Sequence, residues 1–419
     1  MMKKTIPPFF VLVLLCLHAP LLAAQTPFER MDRDHDGQLS RAEFMGPPPA
    51  FRRMDRNGDG YLTLGEAEGT RLTGGMNPVR PPERKVVTGK LPEQVVVDTH
   101  NHLVGRRVMG TFHFERQTRI ALESMNEAGV KLNLLLPMPQ VVGQRLQLTF
   151  EDLQPVVEQH PDRFAALGGG GTLNVMIQQA VQEGRVTPTM VKTFDARALE
   201  LVRKGVVGFG EMTTEHFSMN AHHPYETAPP DHPLFLRLAD LAARHGLPID
   251  LHMEAIPEEM ALPVRFQSPP NPARLQPNID AFGRLLAHNR KAKIIWVHLG
   301  WDNTGRRTVA MTRQLLAANP NLYMSIRIAS GMRQRRVVNP SFPLNRDGQL
   351  RPEWLALFQE FPDRFLLGSD EIIKPSNDHA SAGSILSTAS LLKQLPDGLR
   401  SKIGYQNAYH IYPMGSNVK

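Results

Sequence analysis

From residue 94 onward, short apolar runs alternate with stretches in which apolar positions recur at helical spacing. The runs fall at 94–98, 130–136, 164–168, 206–211, 248–252, 293–298, 322–327 and 365–370. The amphipathic stretches lie near 115–128, 149–160, 187–204, 232–245, 279–289, 304–318 and 352–361, with a closing one near 380–395. This alternation is the signature of βα units around a parallel sheet. Eight such pairs over residues 94–419 predict an α/β fold of the (β/α)8 TIM-barrel type with long loops. A doubly wound open sheet is the alternative. It calls for a glycine-rich phosphate loop after the first strand, whereas the glycine run 168–171 follows the third and lacks the rest of that fingerprint.

Upstream of residue 94 the pattern is different. A positive patch at Lys3 and Lys4, an apolar stretch from Phe9 to Leu17 and the small pair Ala23-Ala24 predict a signal peptide over 1–24 and a periplasmic or secreted protein. An uncleaved anchor is the alternative, but the stretch falls short of the ~20 residues a membrane-spanning helix needs. A lipid on Cys16 is disfavoured by the large Leu15 before it. No other run is long enough to cross a bilayer, so no stable membrane insertion is expected after cleavage.

Residues 25–73 contain a repeat. The first copy places Asp32, Asp34, Asp36, Gln38, Ser40 and Glu43 at positions one, three, five, seven, nine and twelve of a loop, with Gly37 at the sixth. The second places Asp55, Asn57, Asp59, Tyr61, Thr63 and Glu66 in the same slots, with Gly60 at the turn. Oxygen donors at alternating positions wrap a Ca²⁺ ion, Tyr61 offering only its carbonyl, and the final glutamate can close the shell with both oxygens. The loops resemble the EF-hand family. They begin 23 residues apart, with Pro47-Pro48-Pro49 between them, which predicts a compact pair with shortened helices. Residues 74–93, rich in proline and without a clear apolar period, read as a linker.

Composition narrows the chemistry. At 41% hydrophobic and 21% charged, the 419 residues can bury a sizeable core, and the net charge of +7 is scattered rather than clustered. A nucleic-acid partner is therefore set aside. The single cysteine, Cys16, lies in the predicted signal, so a metal must be held by His, Asp or Glu.

Five of the eight runs end in such residues. The first closes with Asp98-Thr99-His100-Asn101-His102, and side chains two apart on a strand face the same side, so His100 and His102 can grip one ion while Asn101 faces away. The fourth ends in Glu211, the fifth in His252, the sixth in His298 and the eighth in Asp370. In a barrel, that end of the strands carries the chemistry.

As a set, these residues resemble the amidohydrolase superfamily, in its amidohydrolase-related branch, over most of 93–419. The resemblance implies a metal-dependent hydrolase of a small-molecule substrate, with one or two divalent ions per chain and zinc the expected species. His100, His102 and Asp370 would bind one ion; His252 would join that site or share a second ion with His298. Glu211 stands where many two-metal members carry a carbamylated lysine, and resembles the bridging glutamate of others.

A bound divalent ion lowers the pKa of its water to about 7. Asp370 is placed to take that proton and return it to the leaving group, and His298, when not a ligand, can steady a developing oxyanion. Ester, lactone, amide or phosphoester hydrolysis is the leading expectation. The rivals are a decarboxylase or hydratase of unsaturated carboxylic acids and a non-catalytic calcium-dependent binding protein. Substrate choice should lie in loops 216–231, 255–278 and 330–351, with Arg327 as a partner for a substrate carboxylate or phosphate, or a structural ion pair. Trp301, Lys374 and His216 are second-tier candidates.

Overall fold

A computed structural model describes residues 27–31, 38–41, 43–46, 48–55, 61–63, 95–144, 148–220, 223–267, 270–328, 341–375 and 383–414. The chain divides into two compact units, Met1–Arg80 and Pro81–Lys419. The predicted signal, the linker and loop positions Asp32, Asp34, Asp36, Asn57, Asp59 and Glu66 lie outside the described residues.

In the first unit, short helices Pro27–Met31 and Pro48–Met54 accompany strands Gln38–Ser40 and Tyr61–Thr63, which pair antiparallel with Leu39 opposite Leu62. These strands are positions seven to nine of the two loops, so the repeat closes on itself through its backbone. Leu39 and Leu62 form a small core with Phe28 and Phe51, edged by Met31, Phe44 and Met54. Pro48 and Pro49 open the second helix, where a missing N–H leaves no bond unmade, rather than interrupting the connector. Glu43 Oε2 accepts from the Ser40 N–H at 2.9 Å and the Ser40 hydroxyl at 2.7 Å. Asp55 directly follows the second helix.

The second unit is the barrel. Its strands are β1 (Val96–Leu103), β2 (Val130–Leu135), β3 (Phe164–Ala166 and Gly168–Gly169), β4 (Phe209–His216), β5 (Ile249–Met253), β6 (Ile294–Leu299), β7 (Leu322–Ile326) and β8 (Phe365–Leu367). Each pairs in parallel with the next, β8 pairs with β1, and the two halves of β3, broken at Leu167, pair with β2 and β4. Nine parallel segments thus make a nearly closed barrel. The glycine run is a close approach rather than a phosphate loop: a Cβ on Gly171 would stand 1.9 Å from the Leu148 carbonyl oxygen.

The expected helices form as α1 (Glu115–Ala128), α2 (Phe150–Gln159), α4 (Pro188–Arg203), α5 (Pro233–His245), α6 (Ile279–His288), α7 (Val309–Ala318), α8 (Pro352–Glu360) and α9 (Gly383–Ser390). One more, α3 (Leu173–Glu183), was not expected; it follows the glycine run directly. Local sequence sets many of the ends. Helix α5 starts with Pro233 in its first turn and stops at Gly246, whose φ of 66° suits glycine.

Two apolar layers result. The larger lies between strands and helices and includes Leu103, Phe209, Met212, Leu251, Trp296, Leu299 and Leu367. The smaller fills the barrel interior with Val95, Val97, Leu134, Leu167, Ile295, Val297 and Leu366, against Tyr405, Ala408, Ile411, Tyr412 and Met414 of the C-terminal segment. The interior is therefore packed from one end and leaves the strand C-termini at the other.

Candidate metal centre

Strands aim side chains by alternation, and the apolar layers show which parity points inward. On β5, Ile249, Leu251 and Met253 pack outward, so Asp250 and His252 point in. On β8, Phe365 and Leu367 pack outward and Leu366 inward, so Asp370, at the end of the run, keeps the inward parity. The other three strands carry the opposite parity. Val95 and Val97 are interior on β1, which by strict alternation would turn His100 and His102 outward; a register shift between Asp98 and Asn101 reverses the faces, and Leu103 duly packs outside. On β4, Phe209 and Met212 are both outward though three apart, with a register irregularity across Gly210 and Glu211. On β6, Ile295 and Val297 are interior, and a shift between Trp296 and Leu299 brings His298 in, with φ of 63°. Such breaks re-aim side chains at the rims of barrels.

The six residues predicted from sequence converge. His100 Nε2 and His102 Nε2 stand 3.2 Å apart. Glu211 sits between two histidine pairs: Oε1 is 3.0 Å from His252 Nδ1 and 2.9 Å from His298 Nε2, and Oε2 is 3.5 Å from His100 Nε2 and 3.3 Å from His102 Nε2. Asp370 Oδ1 lies 3.3 Å from His102 Nε2, and its Oδ2 is 3.7 Å from His298 Nδ1. Three overlapping groups, His100–His102–Glu211, His100–His298–Asp370 and Glu211–His252–His298, each hold their ligand atoms within 4.8 Å of one another. All six residues are buried.

The electrostatics ask for positive charge. Burial works to raise Glu211, but His100, His102 and His252 outweigh it and hold the carboxyl well below its usual range. Burial likewise opposes ionisation of Asp370, and the Arg327 guanidinium at 2.7 Å, together with His298 and His102, outweighs it, so Asp370 is also held low. Burial pushes His298 down to about 3. At His100 the same penalty is overcome by Glu211 and Asp250, which push it up to about 10. Two ionised carboxylates thus share a buried site with imidazoles, and a divalent cation would supply the charge that a proton on His100 otherwise brings.

The donor set fits such an ion. It offers imidazole nitrogen and carboxylate oxygen, the ligands of zinc, manganese and their neighbours. His102 Nδ1 donates to the Leu136 carbonyl at 2.8 Å, which leaves its Nε2 lone pair facing the site. His298 Nδ1 is buried and has no hydrogen-bond partner among the described residues.

Arg327 pairs with Asp370 and lies over the Trp301 ring at 4.2 Å, so both candidates named from sequence border the site. His216, given little weight from sequence, ends β4 with its ring 4.6 Å from that of His252 and 4.9 Å from that of His223. Two other residues drew no functional attention. Asp250 was legible in principle, because it precedes His252 by two on an alternating strand. Arg307 was not. Only 1% exposed, it donates to the Met253 and Val297 carbonyls at 2.7 and 2.8 Å and stacks on Trp296 at 4.1 Å. It ties β5 to β6 beside their histidines. Glu215, buried beside β5 and pushed by that burial up to about 7, accepts from Tyr225 and Thr227 and braces the loop after β4.

A parallel barrel that gathers four histidines and two carboxylates at the C-terminal ends of its strands defines a metal-dependent enzyme. Residues 97–414 match the family model described as amidohydrolase, and the chain belongs to that family. Residues 27–46 and 49–66 match the EF hand model. Similar solved structures include a 2,6-dihydroxybenzoate decarboxylase from Rhizobium (15% identity, 76% of this chain and 98% of that one, TM-score 0.40). Others are a TatD family hydrolase from Entamoeba histolytica (10%, 76% and 98%, 0.41) and dihydroorotase from Saccharomyces cerevisiae (12%, 77% and 84%, 0.42). No curated protein matches the chain.

Proposed function

We propose that this protein is an exported hydrolase that cleaves an ester, lactone, amide or phosphoester bond at the barrel mouth, with calcium held in its N-terminal loops. The observation that carries the hydrolytic reading is Glu211, whose two oxygens face four histidines from three strands, so that it would hold metal together with both histidine pairs. When bound, divalent metal, zinc as the expected ion, supplies Lewis acidity and brings a water's pKa down to about 7.

The chain's own residues do the rest. His100, His102, Glu211, His252, His298 and Asp370 would hold the metal. Asp370, kept ionised by Arg327, takes a proton from the attacking water and returns it to the leaving group. His298, where it is not a ligand, donates to the developing oxyanion. The apolar interior below the site shuts out water from that end. Export is supported by the charge and hydropathy pattern of residues 1–24. Calcium is supported by the two filled loops and by the EF hand match.

A panel of esters, lactones, amides and phosphotriesters, assayed against protein of measured metal content, tests the reaction. Turnover of one class, together with one or two transition-metal ions per chain, is the expected result. Carbon dioxide release from an unsaturated diacid without hydrolysis would replace hydrolase with decarboxylase. For the loops, calcium at ten times a Kd of about 10⁻⁴ to 10⁻³ M should stabilise the protein by about 1.4 kcal/mol per loop, or about 2.8 kcal/mol for the pair. The shift in Tm should vanish in Glu43→Gln/Glu66→Gln; an unchanged shift would leave the loops as turns without calcium.

A further inference from the structure

Beneath the metal centre a second set of polar groups runs down the barrel axis. Asp250 and Tyr412, both essentially without solvent exposure, meet where the C-terminal segment plugs the interior, and the Tyr412 hydroxyl donates to Asp250 Oδ1 at 2.6 Å. The other carboxylate oxygen, Oδ2, lies 3.4 Å from His100 Nδ1. At that distance the two atoms face each other without a formed hydrogen bond, and neither Oδ2 nor Nδ1 has a hydrogen-bond partner among the described residues. Burying a carboxylate and a phenol inside an apolar cluster is costly unless each finds a partner, so their placement calls for a reason beyond packing.

The geometry points to Tyr412 and Asp250 as positioning residues for His100: Tyr412 fixes the Asp250 carboxylate, and Asp250 faces the His100 nitrogen that does not face the ion. His100 Nε2 is the atom beside His102 and Glu211, so a hydrogen on Nδ1 directed at Asp250 leaves Nε2 free to ligate. A carboxylate behind a ligating histidine sets both tautomer and ring angle and raises the ligand's basicity. His102 gets the same service from the Leu136 carbonyl, a backbone group that directly follows β2. His100 has no such carbonyl, and depends on side chains delivered from β5 and from a segment about 310 residues later in the chain. The last turn of the fold is thereby coupled to the metal site. The inference rests on the metal-centre reading proposed above.

The test is divalent-metal affinity of the full-length protein, stripped and titrated with Co²⁺ or Zn²⁺ by equilibrium dialysis, alongside Tm of each metal-free variant. Asp250→Asn should weaken affinity about 10- to 100-fold. Tyr412→Phe, which keeps the ring and its packing, should weaken it about three- to tenfold. The double variant should lose no more than Asp250→Asn alone, because Tyr412 acts through Asp250. Tyr409→Phe is the control: that neighbouring hydroxyl has no partner among the described residues, and its loss should leave affinity unchanged. Tyr412→Phe that lowers Tm yet binds metal as wild type does would reduce the residue to packing and overturn the proposal. So would additive losses in the double variant. Wild-type protein that takes up no divalent ion would overturn the metal-centre reading itself, a failure distinct from a wild type that binds with variants that match it.

Discussion

Strand β5 delivers His252 on the same alternation that packs its apolar residues, and Asp370 keeps the parity of β8 from three residues past its end, with φ of 52°, whereas β1, β4 and β6 break alternation before delivering His100, His102, Glu211 and His298. The two groups do the same job at different structural cost. A strand whose interior residues share the parity of its ligand, as β5 does, needs no extra residue to aim it. A strand whose interior residues have the other parity must insert an irregularity, or its ligand would face the helices. Spacing within HxH is therefore secure, because it is relative. Which way the pair faces is a separate matter that the break decides.

The largest effect should not distinguish the groups. His100→Ala on a broken strand and His252→Ala on a regular one should each strip metal and lower kcat/KM on the order of 10³-fold or more, since both remove a nitrogen from one cluster. Metal content and turnover measured together would check this. Retention of both in His100→Ala would mean that the break in β1 serves packing alone.

Next comes Glu211, the hinge between the histidine pairs. Glu211→Gln keeps shape and removes charge, and should lower metal stoichiometry and cut activity about 10²-fold. Unchanged stoichiometry would mean that Glu211 does not hold the ions together.

The Asp370 end of the site can be read through pH. Burial raises its pKa and Arg327 leads the groups that lower it, ahead of His298 and His102, so Arg327→Met should move the acid limb of the kcat/KM profile to higher pH. The sign follows from the cation favouring the charged form. An unmoved limb would remove Asp370 as the proton acceptor.

The smallest effect contrasts the broken β6 with the regular β5. His298 has φ of 63°, so His298→Gly should be more stable than His298→Ala by about 1 kcal/mol. At His252, in regular strand, the order should reverse, glycine falling about 0.5–1 kcal/mol below alanine. Urea titration of the four variants measures both differences. The same order at both positions would erase the contrast.

Much of the barrel was legible because the signals are local. Strand lengths, helix periods, Pro233 and Gly246 at the ends of α5 each act within a few residues. The EF-hand loops are legible for the same reason, since all the candidate ligands of one loop lie within twelve residues. Helix α3 was missed although Leu173, Ile177 and Ala180 recur at helical spacing and Gly184 stops it; what local sequence does not record is the close approach of Gly170 and Gly171, just before it, to distant carbonyls. Arg327 shows a different limit. Sequence placed it at a strand end but left its partner open between substrate and protein, and the fold sets it 2.7 Å from Asp370.

What the sequence determined by itself is the set of parts: eight alternating strand–helix pairs, two oxygen-lined loops, and metal-capable residues at the ends of five strands. Propensity, periodicity and ligand chemistry are properties of a residue and its near neighbours, so they survive in one dimension. Only the tertiary structure decided that His100 and His102 face inward despite the parity of Val95 and Val97, that Glu211 stands between both histidine pairs, and that Tyr412 reaches Asp250 under His100. Those outcomes depend on how strands are registered against one another and on what closes the barrel from below. Both are settled by packing between segments far apart in the chain.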